Sequence, residues 1–193
     1  MSDEDGAVSE QSLPPRPIVG VLHPGKMGAA VGSALKPAAS AVIWAAAGRS
    51  VRTSKRAEIS DLVGVPDTDE VVRRADVVIA LCPPEAARDL AGAVAAAAAA
   101  AGRALPPLYV EANTVPVETV REIAALLGPE NVVDAVFTGP PTYEEGRTEI
   151  LLSGAAAAAV AALFAGSPFA PRIVGAAPGD ATLVRSSEVT SPG

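Results

Sequence analysis

A chain of 193 residues suffices for one good-sized domain, or one with part of another, and its 49% apolar but only 3% aromatic composition implies a core of Ala, Val, Leu and Ile. A net charge of −7 argues against a nucleic-acid-binding face, and an acidic start with no apolar stretch of spanning length argues against a signal peptide or membrane anchor. The only His (His23) and the only Cys (Cys82) lie too far apart in sequence to suggest a metal cluster, and a lone cysteine excludes an internal disulfide and suits a reducing cytoplasm.

Residues 1–15 carry Asp3, Glu4, Asp5 and Glu10 before Pro14-Pro15 and read as a disordered leader. From Pro17 on, apolar runs alternate with helical patterns. The run Ile18–Leu22 predicts a strand. It meets a tight loop, His23-Pro24-Gly25-Lys26-Met27-Gly28, and then a small-residue helix over Met27–Leu35. Further strands are predicted at Ala41–Trp44, Val77–Leu81, Leu108–Glu111, Val132–Phe137, Ile150–Ser153 and Arg172–Val174. Helices are predicted at Thr53–Leu62, Thr68–Arg74, Glu85–Ala101, Val117–Leu127 and Ala155–Phe164. The alanines Ala95–Ala101 read as helix filler, ended by Gly102. This rhythm implies an α/β domain over 16–178, with a mostly parallel sheet covered on both faces. Residues 179–193 form a short polar end.

Strand, Gly-rich loop and helix together make a dinucleotide-binding arrangement. Gly25 lets backbone approach a pyrophosphate, Gly28 lets helix pack on strand, and free N–H groups at the helix start hold phosphate. His23 stands at the first glycine position of G-x-G-x-x-G, so the pattern here is H-x-G-x-x-G. An NAD site places a carboxylate about 20 residues past the loop, at the end of the second strand. That position falls near Ala45, and no carboxylate occurs from Ala29 to Ala57. Arg49-Ser50 follow instead, and arginine suits a 2′-phosphate. NADP is therefore expected over NAD; the alternative for Arg49 is a solvated basic loop.

These residues resemble the NADP-binding Rossmann domain of the 6-phosphogluconate dehydrogenase and β-hydroxyacid dehydrogenase superfamily, and most closely a branch with an LHPGxMG loop. Gly25-Lys26-Met27-Gly28 is similar to the family's G-x-M-G. Ala75–Ile79 with Cys82-Pro83-Pro84 resembles its fourth strand and following loop. Glu111-Ala112-Asn113-Thr114 resembles the end of the fifth strand, which lies beside the nicotinamide in the family. Asp134–Pro140 resembles the substrate-contacting stretch, so the resemblance assigns Thr138, Gly139 and Pro140 to substrate. Gly146-Arg147-Thr148 and Leu152-Ser153-Gly154 follow in order, so the match spans about residues 17–185. It implies a doubly wound sheet, a nicotinamide cofactor and a small hydroxy acid or carbonyl substrate. Arg185 stands where the family has its catalytic lysine, and arginine is a poor proton shuttle. The family then continues into a helical domain that makes the dimer. On this comparison 179–193 is a stub of that domain, to be supplied by a homodimer or a partner chain.

Single residues keep alternatives open. His23 either touches the pyrophosphate or fills the turn, and Cys82 reads as a packing residue rather than a nucleophile. Asn113 and Thr114 end a strand, where doubly wound sheets bind ligands. Glu111 and Asp134 form a possible carboxylate pair, and Trp44 reads as core or as a flank for adenine. Three functions follow: an NADP-dependent hydroxyacid dehydrogenase, a cofactor-binding module without catalysis, and, ranked last, a reductase of imines.

Overall fold

The computed structural model describes residues 12–103, 106–141 and 147–190. In chain order the elements are β1 (Ile18–Leu22), α1 (Lys26–Leu35), β2 (Ala41–Ala45), α2 (Val51–Ile59), β3 (Val63–Val65), α3 (Thr68–Arg74), β4 (Val77–Ala80) and α4 (Ala87–Ala100). There follow β5 (Leu108–Glu111), α5 (Val117–Leu127), β6 (Val132–Thr138), β7 (Thr148–Ser153), α6 (Ala157–Leu163), β8 (Phe169–Gly175) and α7 (Asp180–Thr190). The strands form one sheet in the order β3-β2-β1-β4-β5-β6-β7-β8. Only the β6–β7 pair is antiparallel. The expected doubly wound, mostly parallel α/β sheet is the fold observed.

Every residue of β4 is buried, as a strand covered on both faces requires. α1, α2 and α6 cover one face through Val31, Leu35, Ala57, Val160 and Leu163. α3, α4 and α5 cover the other through Val71, Leu90, Val94, Val120 and Ile123. The poly-alanine helix is more than filler, because Ala91, Ala97 and Ala98 are buried in that second face. Gly20 lets α3 lie directly on β1: a Cβ there would stand 2.4 Å from Val71 Cγ1. The Asp76 carboxylate, just before β4, accepts the Ile18 N–H at 2.8 Å and ties β1 to its neighbour.

Two elements lie outside the sequence expectation. β3 is a three-residue V-G-V strand, too short and too interrupted to register as an apolar run. The helix predicted through Leu62 ends at Ile59, and Asp61 adopts a left-handed φ of 54° that redirects the chain into β3. α7 occupies the polar end segment. It packs against β6, β7 and β8, with Ala181 fully buried beside Val136 and Leu151. Its polar composition hid this, since among its described side chains Ala181 and Thr182 are buried and Val184 is partly buried against the same cluster.

Of the acidic leader, residues 1–11 lie outside the described residues, whereas Leu13 packs against the core. Residues 142–146, with Tyr143, Glu144, Glu145 and Gly146, and the last three residues also lie outside them. No helix among the described residues is long and apolar enough to cross a membrane.

Candidate functional site

The chain leaves β1 toward one face of the sheet and β4 toward the other, so a crevice opens between their carboxyl ends. A cleft of about 360 Å³ occupies this place. Its walls come from the β1–α1 loop (His23, Gly25, Lys26, Met27, Gly28), the β4 end (Leu81, Cys82, Pro84), the β5 end (Ala112, Asn113, Thr114) and β6 (Ala135, Val136, Phe137). No carboxylate is among these residues.

Gly25 is the residue before α1, with no side chain capping the helix start. The first-turn N–H groups are therefore left for a ligand. A Cβ at Gly25 would meet nothing within 4 Å, so this glycine leaves open space, whereas one at Gly28 would stand 2.8 Å from the His23 carbonyl oxygen. The two glycines differ in their surroundings: one leaves open space and the other permits a close approach of backbone.

His23 takes a left-handed φ of 64°, a conformation glycine adopts freely and other residues at a cost. The Gly25 N–H donates to its carbonyl at 2.7 Å and closes the turn. Burial, and next the charge of Arg49, hold its imidazole below its ordinary value, so it stays neutral at neutral pH. Its Nδ1 is buried without a hydrogen-bond partner.

Arg49 lies beyond β2 and is half-buried. Its Nε donates to the Ala45 carbonyl at 3.4 Å, and its charge reaches His23 and Cys82. Ser50 is exposed and accepts the Thr53 N–H at 3.2 Å, capping α2. Pro24 is buried inside the loop and Pro83 is exposed, and neither lines the cleft. The Cys82 thiol is pushed up to about 11, first by burial and then by the Glu111 charge, so it is a neutral wall group and not a thiolate.

Asn113 lines the cleft, yet its carboxamide is engaged inward. Its Oδ1 accepts the Cys82 N–H at 2.6 Å, and its Nδ2 donates to Glu111 Oε1 at 2.6 Å. Thr114 beside it is exposed. Glu111 and Asp134 are register partners on β5 and β6, but they face different tasks. Asp134 accepts the Thr182 N–H at 2.9 Å and the Thr182 hydroxyl at 3.0 Å, anchoring the start of α7. Neither carboxylate lines the cleft.

Thr138, Gly139 and Pro140 lie one step past the cleft lining. The Thr138 hydroxyl donates to the Glu149 carbonyl at 3.3 Å, and the Thr148 hydroxyl donates to the Pro140 carbonyl. Arg185 is exposed on α7 and is absent from the cleft wall. Trp44 is buried in the core beside Gly64. The apolar wall of Leu81, Ala112 and Phe137 carried no chemical signal in the sequence; the rule that ligands sit at strand ends is what would have found it.

No family model matches the sequence, and no curated protein does. Solved structures match by fold. A 3-hydroxyisobutyrate dehydrogenase from Mycobacterium tuberculosis, solved with L-serine, is 22% identical with a TM-score of 0.74 over 90% of this chain and 59% of its own. A conserved protein of unknown function, described as structurally similar to 3-hydroxyacid dehydrogenases, is 26% identical with a TM-score of 0.71 over 89% and 62%. An imine reductase variant from Myxococcus stipitatus, in complex with NAD+, is 19% identical with a TM-score of 0.69 over 90% and 60%. The chain thus spans about three-fifths of the length of these proteins. By fold, the chain is a Rossmann-type α/β domain similar to part of these 3-hydroxyacid dehydrogenase-like structures, the likeness its motifs implied.

Proposed function

We propose that the cleft binds NADP and that the chain is the cofactor-binding part of an oxidoreductase acting on a small hydroxy acid or related carbonyl compound. The observation that carries this reading is the cleft itself. It lies at the carboxyl ends of β1, β4 and β5 and is lined by His23 and Lys26, with no carboxylate among the described lining residues, in a chain of net charge −7. Such a wall favours an anion.

The residues present fit a dinucleotide. Gly25 leaves room for a pyrophosphate against the uncapped start of α1. Arg49 would hold a 2′-phosphate, helped by Ser50 and by the absence of any carboxylate at the end of β2. Met27, Cys82, Pro84, Asn113 and Thr114 would form the wall on the nicotinamide side, with Pro24 and Pro83 shaping the two loops. Thr138, Gly139 and Pro140 would border the substrate. When bound, the nicotinamide supplies the hydride chemistry; the chain's own task is to bind and orient it. A partner chain or second copy would complete the substrate side with a helical part, and a single free cysteine suits a cytoplasmic setting.

Calorimetric titration with NADPH and NADH tests this reading. Tighter binding of NADPH is expected, and Arg49→Ala should shrink that preference by about tenfold. Binding of neither nucleotide would end the reading. A second reading, a cofactor-binding module without catalysis, is favoured by Arg185, exposed and outside the cleft at the family's lysine position. Substrate-dependent change in NADPH absorbance would exclude it; nucleotide binding with no turnover would support it.

A further inference from the structure

Behind the cleft wall, next to the lining residue Ala112, lies a carboxyl group that the dinucleotide reading does not use. Glu111, the last residue of β5, is fully buried. Its Oε1 accepts both the Asn113 backbone N–H at 3.1 Å and the Asn113 Nδ2–H at 2.6 Å. Asn113 in turn fixes the Cys82 N–H across the gap between β5 and β4. A chain of three hydrogen bonds therefore runs from the buried carboxyl to two residues of the cleft wall. The other oxygen, Oε2, is buried without a hydrogen-bond partner, and so is the Tyr109 hydroxyl two residues earlier on the same face of β5.

We propose that Glu111 is a positioning residue for the nucleotide cleft: through Asn113 it holds the wall at Cys82, and its charge state sets how well the cleft accepts an anion. This rests on the dinucleotide reading for the identity of the anion. A carboxylate behind an anion site opposes the ligand, and a buried one does so with little screening. Protonated, it keeps both bonds from Asn113, which end on Oε1, and removes the opposing charge. The titratable groups that act on Glu111 are Asp134 on β6, which pushes its pKa up, and Tyr109 on β5, which pulls it down; the Cys82 thiol beyond β4 is in turn raised by the Glu111 charge. Burial dominates and places Glu111 at about 7, within the physiological range. Above this face, Arg88 of α4 is paired with Glu122 of α5 at the surface.

The test is a 15N NMR pH titration of the whole chain and of Glu111→Gln, followed by NADP+ affinity from pH 6 to 8.5. Gln accepts from Asn113 but carries no charge. In the wild type the Cys82 amide and the Asn113 carboxamide should shift together with a midpoint near 7, and in Glu111→Gln that transition should vanish. NADP+ should bind the wild type roughly threefold or more weakly as Glu111 ionises, a weakening that the variant lacks. Any other group that titrates, the 2′-phosphate included, is common to both proteins, so the difference between them isolates Glu111. Identical titrations in the two proteins would overturn the proposal. If the linked transition occurs but neither NADP+ nor NAD+ binds, the positioning network stands and the dinucleotide reading falls.

Discussion

A carboxyl group buried at the end of β5 makes folding itself depend on pH. Glu111 sits at about 7 in the folded protein, above its ordinary 4.5. Between these values the folded state holds the proton more tightly than the unfolded chain. The contribution is therefore full below 4.5, declines through the window and is gone above 7, a loss on the order of 3 kcal/mol. Chemical denaturation between pH 4.5 and 8 should show that decline in the wild type and a flatter profile for Glu111→Gln; parallel profiles would contradict it. The two loop glycines separate fold from ligand. Gly25→Ala places a methyl group in open space on an extended backbone of negative φ (−65°), so stability should hold while NADPH affinity drops about tenfold. Gly28→Ala drives a methyl group against the His23 carbonyl, in a turn already held at left-handed φ. It should cost about 1–3 kcal/mol, read by thermal unfolding.

At the scale of elements, the start of α7 is held by two side chains of the sheet. Asp134 accepts two bonds from Thr182, and Ser153 Oγ accepts the Ala181 N–H at 2.9 Å. The first-turn donors of α7 are thus satisfied from β6 and β7. Asp134→Ala leaves the Thr182 N–H and hydroxyl buried and without that partner, which should cost about 1–3 kcal/mol. Hydrogen exchange should locate the loss in α7, with β1 and β4 unchanged. Uniform loss of protection would instead mark Asp134 as part of the global core. α2 shows the milder surface version of the same device: Ser50 caps it from an exposed position.

For the whole molecule, a ligand that binds only the folded state raises its stability by mass action. NADPH at about 100 times its dissociation constant should add about 2.7 kcal/mol, a rise in Tm of roughly 5–10 °C for a domain of this size. NADH at the same concentration should do less, and equal shifts would remove the preference assigned to Arg49. The cleft can respond in this way because three loops from β1, β4 and β5 converge on it, and binding braces all three at once.

The sequence by itself determined the sheet and its covering helices. Buried parallel strands such as Val77–Ala80 must be apolar throughout, and helices between them must repeat every three to four residues, so both leave a local pattern. It also marked the β1–α1 loop, through Gly25, which leaves open space, and Gly28, where a Cβ would strike the His23 carbonyl. Short-range patterning could not show β3, whose three residues are held by pairing with β2, or the seat of α7, whose polar surface conceals one buried turn. Nor could it show that Asn113 points inward to Glu111, that Asp134 serves a helix rather than pairing for acid–base work, or that Arg49 faces His23. Those facts are distances between strands far apart in sequence. Burial then changes the chemistry of each group, and burial exists only once the sheet has closed.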